Sequence, residues 1–136
     1  MLLQELHRSA SDYYGHLATH LADALFFTAC RFHEWSTLEV GKLVLDGDGT
    51  FTTTRLKVKG GKHRDLPILP HLSDSLAEWL QILEAFRGVR LRRGSVDFAG
   101  SRLIFPGREG APISNPAFNQ RLRIACRGRI SRCVYH

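Results

Sequence analysis

The chain has 136 residues, of which 43% are hydrophobic and 24% are charged. This length and composition predict one soluble globular domain with a sizeable core and exclude a wholly disordered chain. No apolar run reaches the length of a membrane span, and no basic segment followed by an apolar one opens the chain. We therefore expect a cytoplasmic protein without a membrane anchor.

The charge is distributed unevenly along the chain. Residues 1–54 carry three Lys and Arg against seven Asp and Glu, a net charge of −4, whereas residues 55–136 carry sixteen against six, a net charge of +10. Such asymmetry indicates a polyanionic partner. Most of these cations are arginines, which suit bidentate contacts with phosphate.

Metal and nucleotide sites are not indicated. The cysteines Cys30, Cys126 and Cys133 are odd in number and lack paired spacing, which argues against a disulfide framework and a zinc ribbon. His16 and His20 lie one helical turn apart, but no third ligand is evident, so we interpret them as helix-surface histidines. The glycine-rich stretch lacks the spacing of a phosphate-binding loop. We expect neither a metal nor a nucleotide cofactor.

The first predicted element is a helix from Ser11 to about Cys30, because apolar residues recur at helical spacing without an intervening proline. Those residues are Leu17, Leu21, Ala24, Leu25 and Thr28. A second, short helix is predicted within residues 31–40. Taken alone, its Arg31 and Glu34 are typical of a structural salt bridge between residues one helical turn apart.

A small antiparallel sheet is predicted in the middle of the chain. The sequence DGDG at residues 46–49 indicates a turn, and the strand-like segments 42–45 and 50–59 flank it. Gly60 and Gly61 then favour a two-residue hairpin loop. That loop would lead into a third strand.

The third strand is predicted over residues 64–68, and the hairpin would place like charges opposite each other. Lys59 would pair with Lys62, and Lys57 with Arg64. Each such pair destabilises a ladder by roughly 0.2–1 kcal/mol. Either an anion such as a phosphate backbone completes this basic face, or the lysines are simply solvated. This stretch alone leaves both readings open.

The clearest predicted helix covers residues 71–86, directly after Pro70. Its apolar stripe consists of Leu72, Leu76, Trp79, Leu80, Leu83 and Phe86. Ser75 and Glu78 would form a capping box if the helix began late.

The rest of the chain is predicted to contain mostly irregular structure. It comprises a basic loop at 87–102, a short buried piece at 103–106, a turn-rich connection at 107–116, and a helix over 117–130 ending near Gly128. With no internal repeat or linker, residues 1–136 are predicted to form one α+β domain, mainly helical with a three-stranded antiparallel sheet.

The order of two segments resembles the catalytic domain of the tyrosine recombinases, also called phage integrases. In that family a helix ends in a pattern close to T-G-L-R-x-S-E-L. A three-stranded sheet follows, whose hairpin reads close to G-K-G-x-K-x-R-x-V-P-L, and then an amphipathic helix. Here TACRFHEW (28–35), VKGGKHRDLPI (58–68) and LPHLSDSLAEWL (69–80) stand in the same order at similar spacing. The resemblance covers about residues 15–136.

The resemblance implies roles for three residues. Arg31 matches the first catalytic arginine, Lys59 the hairpin lysine, and His136 the histidine that opens the second active-site box. In the family a tyrosine oxygen attacks a DNA phosphate, arginines hold its non-bridging oxygens, and the lysine protonates the leaving 5′ oxygen. No metal or nucleotide takes part. Double-stranded DNA is the implied partner, and its predicted contacts are Lys57, Lys62, Arg64, Arg121 and Arg123.

The chain also departs from the family pattern. Ala29 and Cys30 replace the usual Gly-Leu, and His33 and Trp35 are atypical. The second arginine and the tyrosine nucleophile have no counterpart up to His136.

The tyrosines present are not expected to replace that nucleophile. Tyr135 precedes the box histidine, and we interpret it, Tyr13 and Tyr14 as structural residues. We therefore expect a recombinase catalytic domain that is incomplete at its carboxyl terminus and inactive alone. Such a domain would bind DNA. Association with other recombinase protomers is a further partner that the resemblance allows. The alternatives are a non-catalytic DNA-binding module or remnant on the same scaffold, and a basic interaction protein with an accidental likeness.

Overall fold

A computed structural model describes residues 13–57, 60–86, 90–91, 94–95, 101–107 and 110–126. The helices are α1 (Tyr13–Thr28), α2 (Phe32–Ser36), α3 (Pro70–Phe86) and α4 (Asn115–Cys126). The strands are β1 (Leu43–Leu45), β2 (Phe51–Lys57), β3 (His63–Pro67), β4 (Arg90–Leu91) and β5 (Gly94–Ser95). One turn of 3₁₀ helix, Val40–Lys42, precedes β1. No helix among these described residues is long and apolar enough to cross a membrane.

Strands β1, β2 and β3 form an antiparallel sheet in that order, which confirms the predicted sheet and the α+β class. The turn between β1 and β2 also forms where DGDG predicts it. The Asp46 carboxylate accepts hydrogen bonds from the backbone N–H groups of Asp48 and Thr50, each at 2.9 Å. Gly49 has a φ of 80°, the left-handed conformation that glycine adopts without steric cost.

Helices α1 and α3 pack together and supply most of the core. The periodicity predicts both buried faces. Of the residues in the two predicted apolar stripes, those that are fully or nearly fully buried are Leu17, Leu21 and Ala24 on α1, and Leu72, Leu76, Trp79 and Leu83 on α3. Burial of such apolar side chains is the main force that joins the two helices.

Trp79 anchors the segment that follows β5 against α3. Its indole N–H donates to the Ile104 carbonyl at 2.6 Å, and its ring stacks on Phe105 with centroids 5.5 Å apart. Ile104 and Phe105 are both fully buried, which confirms the buried piece predicted at residues 103–106. The Ile104 N–H also donates to the Leu38 carbonyl at 2.9 Å.

The predicted register of the β2–β3 hairpin is wrong by one residue. Lys57 lies opposite His63, and Leu56 lies opposite Arg64, so the predicted pair of Lys57 with Arg64 does not form. The predicted pair of Lys59 with Lys62 involves a residue outside the described part. A slip of one residue moves every side chain of a strand to the other face.

The hydrophobic pattern and the charges both explain the observed register. Leu56 is fully buried, and Leu66 is half-buried against the same core. The predicted register would have put Leu66 on the cationic face instead. The observed register also places Arg55 opposite Asp65. Opposite charges across a ladder are favourable, whereas the predicted like-charge pairs are not.

One conditional prediction does not apply, and one other local prediction is wrong. Helix α3 begins at Pro70, so Ser75 lies inside it and is buried instead of capping its start. Proline fits the first turn of a helix because that position needs no N–H donor. The basic loop predicted at residues 87–102 contains a two-stranded ribbon in which Arg90 pairs with Ser95. Two-residue strands are too short to show a period-two pattern.

Candidate nucleic-acid interface

The connection between α1 and α2 carries Arg31 and begins with a strained residue. Ala29 has a φ of 53°, and its N–H donates to the Leu25 carbonyl at 2.9 Å. It therefore ends α1 in the left-handed conformation that helices usually assign to glycine. The family pattern has glycine at this position. The left-handed backbone conformation explains that preference, because glycine adopts it without steric cost.

Replacing Ala29 with glycine is expected to raise the free energy of unfolding by about 1 kcal/mol, because the Cβ of an L-residue is disfavoured at positive φ. Urea unfolding followed by circular dichroism measures this. The same substitution at exposed Ala77 inside α3 is the control, and it should lower stability by about 1 kcal/mol. A loss of stability in Ala29→Gly would contradict the strained geometry.

Arg31 stands immediately before α2, and its guanidinium does not form the expected salt bridge. The Glu34 carboxylate instead accepts a hydrogen bond from the Arg31 backbone N–H at 2.8 Å, and the Glu34 N–H donates to the Arg31 carbonyl at 3.0 Å. This is the carboxylate half of a capping box. Within the described residues no carboxylate is ion-paired with Arg31, whose side chain is exposed.

A partly buried chain of two hydrogen bonds fixes the connection between α1 and α2. The Trp35 indole N–H donates to the Thr28 hydroxyl at 2.9 Å, and that hydroxyl donates to the Ala24 carbonyl at 2.6 Å. Trp35 is fully buried and packs edge-on against Phe105. The atypical tryptophan thus ties the end of α1 to α2 on either side of Arg31.

Two elements, the sheet and α4, pack against residues 30–32. From the sheet, the Arg64 guanidinium donates to the Cys30 Sγ at 3.4 Å. From α4, the Phe118 ring packs against Phe32 with centroids 5.3 Å apart. The sheet, α4 and the α1–α2 connection therefore meet around Arg31. Arg64 reaches Cys30 in the observed register of β2 and β3, which differs from the predicted one.

The other predicted DNA contacts are placed as follows. Lys57 ends β2, and Lys62 is exposed just before β3. On α4, Arg123 is exposed, whereas the Arg121 guanidinium lies 5.3 Å from the centre of the Tyr14 ring. This cation–π contact gives Arg121 a structural role as well. Lys59 and His136 lie outside the described residues.

Tyr13 is a structural residue, as the sequence predicts. It is fully buried, and its hydroxyl donates a hydrogen bond to the Pro106 carbonyl. Burial, and secondarily the neighbouring Tyr14, raises the pKa of the Tyr13 phenol far above its ordinary value. A phenol that is inaccessible and hard to ionise is unsuited to attack a phosphate. Tyr14 packs edge-on against Tyr13, with ring centroids 5.2 Å apart.

A buried cluster joins α1 to α3 and superficially resembles a hydrolase triad. The Ser75 hydroxyl donates to the Asp23 carboxylate at 2.7 Å and lies 3.1 Å from the His20 Nδ1. Because serine has one hydroxyl proton, the Nδ1–H of His20 must donate to Ser75. A triad requires the histidine between the serine and the carboxylate, so this arrangement is structural.

The burial of His20 corrects the prediction that it is a surface histidine. Helix α1 contacts α2, α3 and α4, so it is covered on more than one side. His16 is half-buried, with its ring 6.2 Å from that of Phe86. Among the described residues, no group of three His, Cys, Asp or Glu could hold a metal ion.

Comparison with solved structures identifies the fold. The chain is similar to the XerH site-specific recombinase bound to its difH substrate in a pre-cleavage complex, with a TM-score of 0.66 and 20% identity over 98% of this chain and 37% of that one. It is equally similar to XerH in a post-cleavage complex with palindromic difH, with a TM-score of 0.66 and 20% identity over 98% of this chain and 36% of that one.

The chain thus spans little more than a third of the XerH chains that it matches. No protein-family model matches it, and no curated protein matches it significantly. The three-stranded sheet argues against the alternative that the chain is a basic interaction protein whose likeness to the recombinases is accidental. The chain has the fold of a tyrosine recombinase catalytic domain.

Proposed function

We propose that this chain is the DNA-binding part of a site-specific recombinase catalytic domain and that it contacts duplex phosphates through Arg31 and the hairpin cations Lys57, Lys59, Lys62 and Arg64. The observation that carries the proposal is the exposed Arg31 guanidinium, free of any described carboxylate, where the sheet, α4 and the α1–α2 connection meet. The likeness to a recombinase bound to DNA supports the same partner.

The chemistry of the proposed site follows from its cations. A guanidinium donates two parallel hydrogen bonds to a phosphate and retains its charge at any physiological pH. Arg31 would hold the non-bridging oxygens of the scissile phosphate as negative charge develops on them. Lys59 would protonate the leaving 5′ oxygen, and His136 would belong to the same site. Lys57, Lys62, Arg64, Arg121 and Arg123 would contact neighbouring phosphates.

A second candidate is a non-catalytic DNA-binding module on the same scaffold. It is favoured by Tyr13, whose phenol is buried and hydrogen-bonded to a backbone carbonyl. Both candidates bind duplex DNA. They differ in whether the chain can support phosphate attack by a tyrosine supplied by another recombinase chain, which a complementation assay decides.

Fluorescence anisotropy with duplexes of unrelated sequence tests the binding shared by both candidates. We expect the Arg31→Ala variant to bind about tenfold more weakly than the parent chain, because hydrogen bonds to charged groups contribute about 1.5–3 kcal/mol. The parent affinity should fall steeply with salt, since binding to phosphates releases counterions.

The matched control is Arg55→Ala, which removes the same charge from β2 at a position opposite Asp65. We expect that variant to lose less than threefold in affinity. Circular dichroism of both variants checks that the fold is retained. Equal losses in the two variants, or a flat salt response of the parent chain, would contradict the proposed role of Arg31.

A further inference from the structure

A shallow cavity of about 400 Å³ lies outside the region around Arg31. It opens between the 3₁₀ turn and the segment that follows residue 100. Its lining residues are Glu39, Val40, Gly41, Lys42, Ser101 and Arg102. We refer to it as the Lys42–Arg102 groove.

Backbone pairing brings the two walls of this groove together. The Val40 N–H donates to the Arg102 carbonyl at 2.8 Å, and Glu39 forms a bridge with Leu103. Lys42 and Arg102 are far apart in the sequence but line the same cavity. Because Ile104 is fully buried and hydrogen-bonded to Leu38, the backbone next to Arg102 is held against the core.

The cations of the groove are exposed to solvent. Lys42 and Arg102 are both exposed, and in the described part of the chain neither is ion-paired, although Glu39 lines the same groove. Gly41 lines the same groove, and no atom other than those of its two chain neighbours lies within 4 Å of the position where its Cβ would stand. A ligand can therefore approach the backbone closely at this point. The Ser101 hydroxyl is already used, since it donates to the Gly110 carbonyl at 2.8 Å.

We infer that the Lys42–Arg102 groove binds a phosphate of the DNA backbone, as a contact separate from Arg31. The inference rests on the proposed function. Two exposed cations that have no carboxylate partner among the described residues, beside an open backbone, are suited to a phosphate. A small free anion would gain little in an open groove, where water screens both charges. A phosphate within a duplex is already held near the surface by other contacts, and its binding releases counterions.

The test measures the dependence of DNA affinity on salt for the parent chain and for the Lys42→Ala/Arg102→Ala double variant. Losing one phosphate contact should lower the slope of log K against log salt by about 1. Because both side chains are exposed, the variant should unfold at the same urea concentration as the parent. Arg55→Ala, which removes an exposed cation outside the groove, is the control and should leave the slope nearly unchanged.

Glu39 provides a variant with the opposite expected sign. Its carboxylate lies beside the proposed phosphate and repels it, so Glu39→Gln is expected to increase affinity for DNA two- to threefold at low salt. Suppose that the parent binds DNA and that Arg31→Ala weakens this binding as described above. If the double variant then has the same slope of log K against log salt as the parent, the groove inference is wrong and the proposed function stands. If the parent does not bind duplex DNA at all, the proposed function fails first. Unchanged or weaker binding by Glu39→Gln also counts against the groove.

Discussion

Mixed with a nicked or suicide DNA duplex, the 136-residue chain is expected to form no covalent protein–DNA adduct. Tyr13 is buried and hydrogen-bonded through its hydroxyl, and its pKa is raised, so it cannot supply a phenolate to a phosphate at the surface. Tyr14 packs between Tyr13 and the Arg121 guanidinium. Loss of a nucleophile typically lowers the rate on the order of 10⁶-fold even when the other groups of a site remain.

The readout is a band of reduced mobility on a denaturing gel after the trapping reaction. A complete recombinase on its own substrate is the positive control. Binding of this chain to the nicked or suicide duplex is measured in parallel. An adduct would overturn the expectation. Tyr14→Phe and Tyr135→Phe would then identify the attacking residue, because only the correct variant should abolish the adduct.

A complementation experiment is needed to separate the two candidate functions. A module that only binds DNA and a catalytic domain that needs a tyrosine from elsewhere both give a bound but unlinked duplex. Adding a recombinase chain that carries the tyrosine but has its own Arg31 equivalent removed distinguishes them. Restored cleavage would show that this chain supplies the missing guanidinium, whereas continued inactivity favours the module.

Those parts of the fold that depend on local periodicity were predictable from the sequence. The stripe through Leu72, Leu76 and Trp79 identifies the buried face of α3 because a helix repeats every 3.6 residues. The turn at Asp46 was equally predictable, since an Asp side chain can accept hydrogen bonds from N–H groups two and four residues later. Each signal lies within a few residues of the element that it specifies.

The register of the hairpin could not be read in the same way. Double glycine favours a two-residue loop, but the burial of Leu56 with Leu66 outweighs that local preference. The consequence is functional, because the true register lets Arg64 reach Cys30 and brings the sheet to the Arg31 connection. Sequence reasoning selected Arg64 as a DNA contact but gave it the wrong partner.

Tertiary neighbours account for the remaining differences. His20 lies at helical spacing from Leu17 and Ala24, so periodicity places it on the buried face, but only the packing of α3 on α1 brings Ser75 to His20 and Asp23. Likewise, no spacing rule relates Lys42 to Arg102, because backbone pairing between distant segments creates their groove. The motif identified Arg31 as a candidate contact. Only the coordinates show that Glu34 binds the backbone N–H of Arg31 and not its guanidinium.

Raising the pH above about 10 is expected to destabilise the protein through Tyr13. In the unfolded chain a tyrosine releases its proton near pH 10, but burial keeps the folded-state pKa of Tyr13 well above this. The contribution of Tyr13 to stability is therefore fully present below pH 10. Above pH 10 it is lost by as much as about 1.4 kcal/mol of unfolding free energy per pH unit, because only the unfolded chain releases the proton.

Urea unfolding at a series of pH values between 8 and about 12 measures this loss, and Tyr13→Phe isolates the contribution of one residue. At neutral pH the variant should be less stable by about 1–3 kcal/mol, because the buried Pro106 carbonyl loses its donor. Above pH 10 its stability should fall less steeply than that of the parent, so the two curves converge. Parallel curves would mean that Tyr13 ionises as easily in the folded protein as in the unfolded chain, and Tyr13 would then return as a possible nucleophile.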